Sequence, residues 1–172
     1  RTRVRARVIS HALRELVLDS DKVLIMGHRQ PDMDVIGSAI GILKVAQAND
    51  KEGYIIFSEE ESNFAIEKLM EKIKDEPSLW SRFIRPEGAL DMVTAKTLLV
   101  VVDTHKPSLV IEEKLVQRSE RIVVIDHHRR GEDFIEEPVL VYMEPYASST
   151  SELVTELLEY QPDHLKLTSL EA

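Results

Sequence analysis

Arg121-Ile-Val-Val-Ile125 runs directly into Asp126-His127-His128-Arg129-Arg130. The first segment reads as an apolar strand. The second sets a carboxylate and two imidazoles at its end, placed to hold a metal, beside arginines that suit an anion. Two other apolar strands end the same way. Lys22-Val-Leu-Ile-Met26 leads into Gly27-His28-Arg29-Gln30-Pro31-Asp32-Met33-Asp34, and Thr97-Leu-Leu-Val-Val-Val102 leads into Asp103-Thr104-His105-Lys106. Open α/β sheets gather ligands at the carboxyl ends of their strands, so the three loops are expected to share one crevice.

The segments around these strands give the fold class. Val35–Ala48 reads as a helix with Asp34 near its N-cap, Tyr54–Phe57 as a short strand, and Asn63–Lys74 as a helix. Trp80, Phe83 and Ile84 are expected in a short buried segment. A helix falls within 108–118, a strand at 138–143 and a helix from Ser149 to Glu159. Strands alternate with helices, which predicts an α/β domain with a mainly parallel sheet and helices on both faces. Residues 1–19 begin basic, with Arg1, Arg3, Arg5 and Arg7, and then carry Val8, Ile9, Leu13, Leu16 and Val17 at the spacing of an amphipathic lead-in helix. The main domain is expected over 20–172. Thr168-Ser-Leu-Glu171 matches a capping box that opens a helix, and the chain stops at Ala172. A helix that starts without a body suggests a C-terminally incomplete domain, a fragment of a longer protein.

Composition narrows the function. With 43% apolar and 31% charged residues among 172, the chain reads as globular and large enough for a real core. Its net charge of −9 argues against a long nucleic acid held by backbone electrostatics, but not against a phosphate in a locally positive cleft. The absence of cysteine rules out disulfides and thiolate metal sites, and is compatible with a reducing cytoplasm. No apolar run approaches the roughly 20 residues of a membrane span, so no membrane contact is expected from this segment.

Four of the six histidines, His28, His105, His127 and His128, lie in the three loops, with Asp32, Asp34, Asp103 and Asp126 beside them. The spacing His28-x-x-x-Asp32-x-Asp34 lets one loop and the start of the next helix present an imidazole and two carboxylates to a common point. Asp103 adds a carboxylate able to bridge two ions, and His127 adds a second imidazole. Nitrogen and oxygen donors without sulfur favour divalent manganese, with magnesium, cobalt or zinc as alternatives. So many candidates suit two ions about 3.5–4 Å apart, the arrangement that activates water and clamps a phosphoryl group. His128 can bond the phosphate or hold a proton for the leaving oxygen. Asp126 is expected to orient a ligand instead of binding metal. His105, Lys106, Arg129 and Arg130 are positive groups for the substrate, although Lys106 and Arg130 equally suit solvent exposure. Ser149 and Thr150, in Ser148-Ser-Thr-Ser151, can bind an anion at a helix N-terminus, with plain N-capping as the competing reading. Gly37 and Gly41, four apart in a helix, suit close packing.

The pattern His-x-x-x-Asp-x-Asp, then a strand-end Asp, then Asp126-His127-His128, resembles the DHH phosphoesterase family. The resemblance implies a binuclear, typically manganese-dependent centre in which His28, Asp32, Asp34, Asp103 and His127 ligate metal, Asp103 bridges, and His128 faces substrate. Within the family, Gly27–Asp34, Val102–Pro107, Asp126–Arg130 and Glu144–Thr150 look like the subgroup that hydrolyses cyclic-di-AMP. Its members join transmembrane helices, a PAS domain and a degenerate GGDEF domain to DHH and DHH-associated domains. That implies a cytoplasmic domain of a cell-membrane protein with a cyclic dinucleotide or short nucleotide substrate. Whether the parent forms a homodimer is left open. Oligoribonuclease, nucleoside bisphosphate phosphatase and pyrophosphatase activities, or non-catalytic nucleotide sensing, are the alternatives. The family adds a further aspartate ligand and a DHH-associated domain that are absent here, so the fragment alone is expected to bind metal poorly and to be inactive.

Overall fold

The computed structural model describes residues 2–59 and 63–161, so the capping box at Thr168–Glu171 lies outside the described residues. In chain order the elements are α1 (Thr2–Leu18), β1 (Val23–Met26), α2 (Met33–Ala48), β2 (Gly53–Ile56), α3 (Phe64–Lys74), α4 (Pro77–Trp80), β3 (Phe83–Ile84), α5 (Pro86–Met92), β4 (Leu98–Val102), α6 (Glu113–Arg118), β5 (Arg121–Asp126), β6 (Leu140–Met143) and α7 (Thr150–Leu158). The six strands form one sheet in the order β3-β2-β1-β4-β5-β6, every pairing parallel.

Strands β1 and β4 are buried throughout because both faces of the sheet are covered. Val23, Ile25, Leu98, Val100, Val102, Val123 and Ile125 point to the face packed by α1, α2, α3 and α7. Their neighbours Leu24, Met26, Leu99, Val101, Ile122 and Val124 meet Ala89 of α5, Leu115 of α6, and Val110 and Ile135. From β1 the chain moves outward to β2 and β3, then returns to the other side of β1 as β4. The strand order reverses between β1 and β4, the place where open α/β sheets set their ligand crevice.

Three local readings change. In α1, Val8 is exposed, while Ala6, Ile9, Leu13 and Val17 are buried. Ser10 takes an inward place, donating to the Leu157 carbonyl at 2.9 Å and accepting from Gln161 Nε2 at 2.6 Å. The helix is thus part of the same core as the sheet. Phe83 and Ile84 form an edge strand that is only half-buried, since a sheet edge has a neighbour on one side. Trp80, also half-buried, stacks on Phe83 at 5.8 Å. The helix expected within 108–118 shortens to α6 after a 3₁₀ turn at Pro107–Leu109. Between them Val110 is extended, bridging antiparallel to His28.

Helix α2 starts at Met33, with Asp32 as the cap: its Oδ1 accepts from the Val35 N–H at 3.0 Å. The side of α2 bearing Gly37 and Gly41 faces α7. A Cβ on Gly41 would collide with Val154 Cγ1, and one on Gly37 would lie 3.1 Å from Ser151 Oγ. Valine is stiff about χ1, so Val154 cannot easily move aside.

Gly41→Ala is therefore expected to destabilise the fold by about 1–3 kcal/mol, despite alanine's better helix propensity. Gly88, in α5, has nothing within 4 Å of an added Cβ. Gly88→Ala is expected to stabilise by about 0.5–1 kcal/mol. Urea unfolding of the two variants checks the opposite signs.

Candidate metal centre

Strand β4 ends at Val102, and the next residue turns the chain sharply. Asp103 keeps its N–H on the Ile125 carbonyl at 2.9 Å but adopts φ 66°, a left-handed conformation that costs a non-glycine residue about 1–3 kcal/mol. The turn leaves the residue only 6% exposed, with Oδ1 accepting from the Thr150 hydroxyl at 2.9 Å. His127, beyond β5, brings Nε2 to 3.4 Å from Asp103 Oδ1 and 3.8 Å from Asp34 Oδ2. Among the described residues, Asp103, His127 and His128 each offer one ligand atom within 4.8 Å of the others.

Asp34 reaches the group from the first turn of α2 and is gripped by α7. Its Oδ2 accepts from the Thr150 N–H at 3.0 Å and its Oδ1 from the Ser151 N–H at 2.8 Å. Burial opposes its ionisation, but the hydrogen bonds from Ser151 and Thr150 prevail and hold the carboxyl below its ordinary value. Asp103 goes the other way. Burial first, and then the charge of Asp34, push it up to about 7, with Asp32 adding to the repulsion and Thr150 working against it. Two carboxylates this coupled, with a neighbouring imidazole and no sulfur, fit a divalent cation.

A second construction lies beside the first. Asp126, the last residue of β5, is fully buried. Its Oδ1 accepts from the N–H groups of His127 at 2.8 Å and His128 at 3.3 Å, and from His128 Nδ1 at 2.7 Å. Its Oδ2 meets His105 Nδ1 at 2.8 Å. An ionised carboxylate only accepts, so His128 carries its proton on Nδ1 and presents Nε2 outward. The ring is half-exposed and lies 4.4 Å from that of His127.

The other expected site residues divide. Asp32 lies close enough to act on Asp103 through its charge, while one of its oxygens caps α2. His28 follows β1 but is outside the Asp103–His127–His128 cluster. Its Nδ1 accepts from the Gln30 N–H at 3.0 Å, so coordination by this ring would go through Nε2. His128, expected on the substrate side, stands within the cluster. His105, also expected there, is 2% exposed and has both ring nitrogens engaged inside the protein. Ser149 caps α7, accepting from the Glu152 N–H at 3.1 Å. Thr150 is buried and spends its N–H and hydroxyl on Asp34 and Asp103. At this helix N-terminus the N–H groups of Thr150 and Ser151 and the Thr150 hydroxyl meet the protein's own carboxylates. Arg129 is exposed, and the Arg130 guanidinium lies 4.2 Å from the centre of the Phe134 ring. Ser151, the second N–H donor to Asp34, was missed as an individual contributor. The hydroxyl run before an apolar helix was its only trace.

The profile of the DHH family, N-terminal domain, matches residues 22–172. The chain is 66% identical over its full length to the cyclic-di-AMP phosphodiesterase GdpP of Geobacillus thermodenitrificans, covering 26% of that protein. It is 52% identical, again over its full length and 26% of the relative, to the cyclic-di-AMP phosphodiesterase PdeA of Listeria monocytogenes. It thus spans about a quarter of the length of these relatives. Among solved structures, an exopolyphosphatase-related protein from Bacteroides fragilis superposes with TM-score 0.67 at 25% identity, over 89% of this chain and 44% of that one.

A raised carboxylate pKa means that the folded state binds the proton more tightly than the unfolded chain. Ionising Asp103 therefore costs stability, progressively from about pH 4 to about pH 7 and in full above that. For metal-free protein, the stability of the unsubstituted chain relative to Asp103→Asn is expected to fall across that window and level off near neutrality, by up to about 4 kcal/mol. Thermal unfolding in chelator from pH 4 to 8 checks this, and a flat difference would contradict it.

Proposed function

The chain belongs to the DHH family, and on that premise we propose that it is the metal-binding domain of a phosphodiesterase that hydrolyses cyclic-di-AMP. The observation that carries the proposal is the convergence of Asp34, Asp103 and His127 at the carboxyl ends of β1, β4 and β5. Full-length identity to proteins named for that activity supports the choice of substrate.

On this reading His28, Asp32, Asp34, Asp103 and His127 would hold two divalent cations, with manganese the leading candidate. Such ions supply Lewis acidity toward a phosphoryl oxygen and toward the water that attacks it. The protein's own groups do the rest. Thr150 and Ser151 hold Asp34 and Asp103 in place, so that their remaining lone pairs would meet the ions. His128, with Nδ1–H fixed on Asp126, offers Nε2 to exchange a proton with the leaving oxygen. Arg129 and Lys106 meet phosphate charge, Arg129 from an exposed position and Lys106 from a half-buried one. The substrate is cyclic-di-AMP or a related short nucleotide, and the domain works on the cytoplasmic side of the membrane. Among the described residues no helix is long and apolar enough to cross a membrane.

The full-length protein carrying this domain is expected to convert cyclic-di-AMP to the linear dinucleotide in the presence of Mn²⁺. Asp103→Ala is expected to reduce turnover to background, and Lys106→Ala to raise KM with kcat nearly unchanged. Chromatography of products from cyclic-di-AMP, a linear dinucleotide, a nucleoside bisphosphate and pyrophosphate is the check. Preferential cleavage of the linear or bisphosphate substrates would favour an oligoribonuclease or phosphatase. Tight binding without cleavage would favour a sensor.

A further inference from the structure

His105, an expected substrate contact, is enclosed by the loop that follows Arg129. Its imidazole is clamped on every side. Gly131 donates its N–H to Nε2 at 2.9 Å, Ile135 donates its N–H to the His105 carbonyl at 2.9 Å, and Phe134 stacks on the ring at 4.9 Å and 27°. Arg130 covers the Phe134 ring. An amide N–H can only donate, so Nε2 is the bare nitrogen and the ring's proton sits on Nδ1. That proton points at Asp126 Oδ2, 2.8 Å away.

We propose that His105 is a positioning residue: wedged between Asp126 and the 129–135 loop, it fixes the orientation of His127 and His128 at the metal centre. The inference deepens the metallophosphodiesterase reading and rests on it for its catalytic consequence. The argument turns on the other oxygen of Asp126. Oδ1 receives both backbone N–H groups of the His127-His128 pair and the His128 ring. One carboxylate therefore sets the course of the chain through both histidines and the rotation of the second. With Oδ2 held by His105 the carboxylate has a single orientation; without that donor it can turn in its buried site, and the two histidines turn with it. Groups that orient a metal's ligands in this way are commonly as important as the ligands themselves. The same ring fastens the loop bearing Arg129 and Arg130, so the cations and the histidines are kept in register by one side chain.

Two amide substitutions separate this role from simple space filling. The side-chain amide of His105→Asn places an N–H where Nδ1 stood and keeps the bond to Asp126. That of His105→Gln places its oxygen where Nε2 stood, keeping the Gly131 contact and losing Asp126. In the full-length protein, His105→Gln is expected to lower both Mn²⁺ affinity and kcat by about 10–100-fold with KM little changed, while His105→Asn keeps Mn²⁺ affinity and kcat near the unsubstituted values and raises KM, because the loop bearing Arg129 loses its hold through Gly131 and Phe134. Calorimetry with Mn²⁺ alone, steady-state hydrolysis of cyclic-di-AMP and metal-free thermal unfolding give the readouts. Equal losses in the two variants, or none in either, would overturn the proposal. If His105→Gln does not fold, His105→Asn decides: retained Mn²⁺ affinity supports the proposal, and affinity lost with the Asp126 contact intact in a crystal structure overturns it. If the unsubstituted protein binds Mn²⁺ but leaves cyclic-di-AMP intact, the phosphodiesterase reading fails, and the Mn²⁺ affinities still decide the role of His105.

Discussion

Two carboxylates, Asp34 and Asp103, share a partly buried crevice, and the first turn of α7 makes that tolerable. Backbone N–H groups at a helix N-terminus have no partner within the helix and carry the positive end of its dipole. Here those of Thr150 and Ser151 are spent on Asp34, and the Thr150 hydroxyl on Asp103. Like charges brought together would otherwise separate or take up a proton. The placement of α7 is thus an electrostatic requirement as much as a packing one. Its closeness to α2 depends on Gly37 and Gly41, which let Ser151 and Val154 approach where a side chain would stand. Two absent Cβ atoms in one helix thereby govern carboxylates presented by α2 and by the end of β4.

The two strand-end aspartates, Asp103 and Asp126, lie one strand apart and have opposite surroundings. Asp126 is surrounded by donors: two backbone N–H groups and two imidazoles. Its acceptor capacity is used within the protein, which makes it a fixed point. Asp103 has the Thr150 hydroxyl, His127 nearby, and the repulsion of Asp34. It keeps acceptor capacity and an electrostatic demand for positive charge. The same side chain at the same place on neighbouring strands is therefore a fixed point in one case and, on the phosphodiesterase reading, a metal ligand in the other, and the difference lies in the number of protein donors that meet it.

The alternation of apolar strands with helices was plain in the sequence because a parallel sheet covered on both faces needs continuous apolar runs, and β1, β4 and β5 are such runs. Their polar loops were equally plain, since a cluster of His and Asp after strands has few purely structural uses. The half-exposed β3 and the short helices around it were obscure: two residues carry no period, and Trp80 looks as fit for a core as for an edge. The role of Thr150 was obscure for another reason. It faces carboxylates 47 and 116 residues away in the chain, and a Ser/Thr run before a helix reads the same whether the anion it meets is a ligand or the protein's own side chain. His105 read like the other histidines because its loop position matched theirs; only the fold buries it and sets Phe134 and Gly131 against it.

The chain carries a net charge of −9, and the crevice itself concentrates Asp32, Asp34 and Asp103. On the phosphodiesterase reading its substrate is an anion, which an empty crevice of this kind repels. Arg129, exposed to screening solvent, offsets that repulsion only weakly. Divalent ions bound by these carboxylates would change the sign of the potential where the phosphate must sit, so metal and anion binding would reinforce each other. The raised proton affinity of Asp103 belongs to the same logic. A carboxylate that gains a proton at near-neutral pH when alone gains more from a dication, and the fold has arranged its repulsion so that this gain falls at the centre of the site.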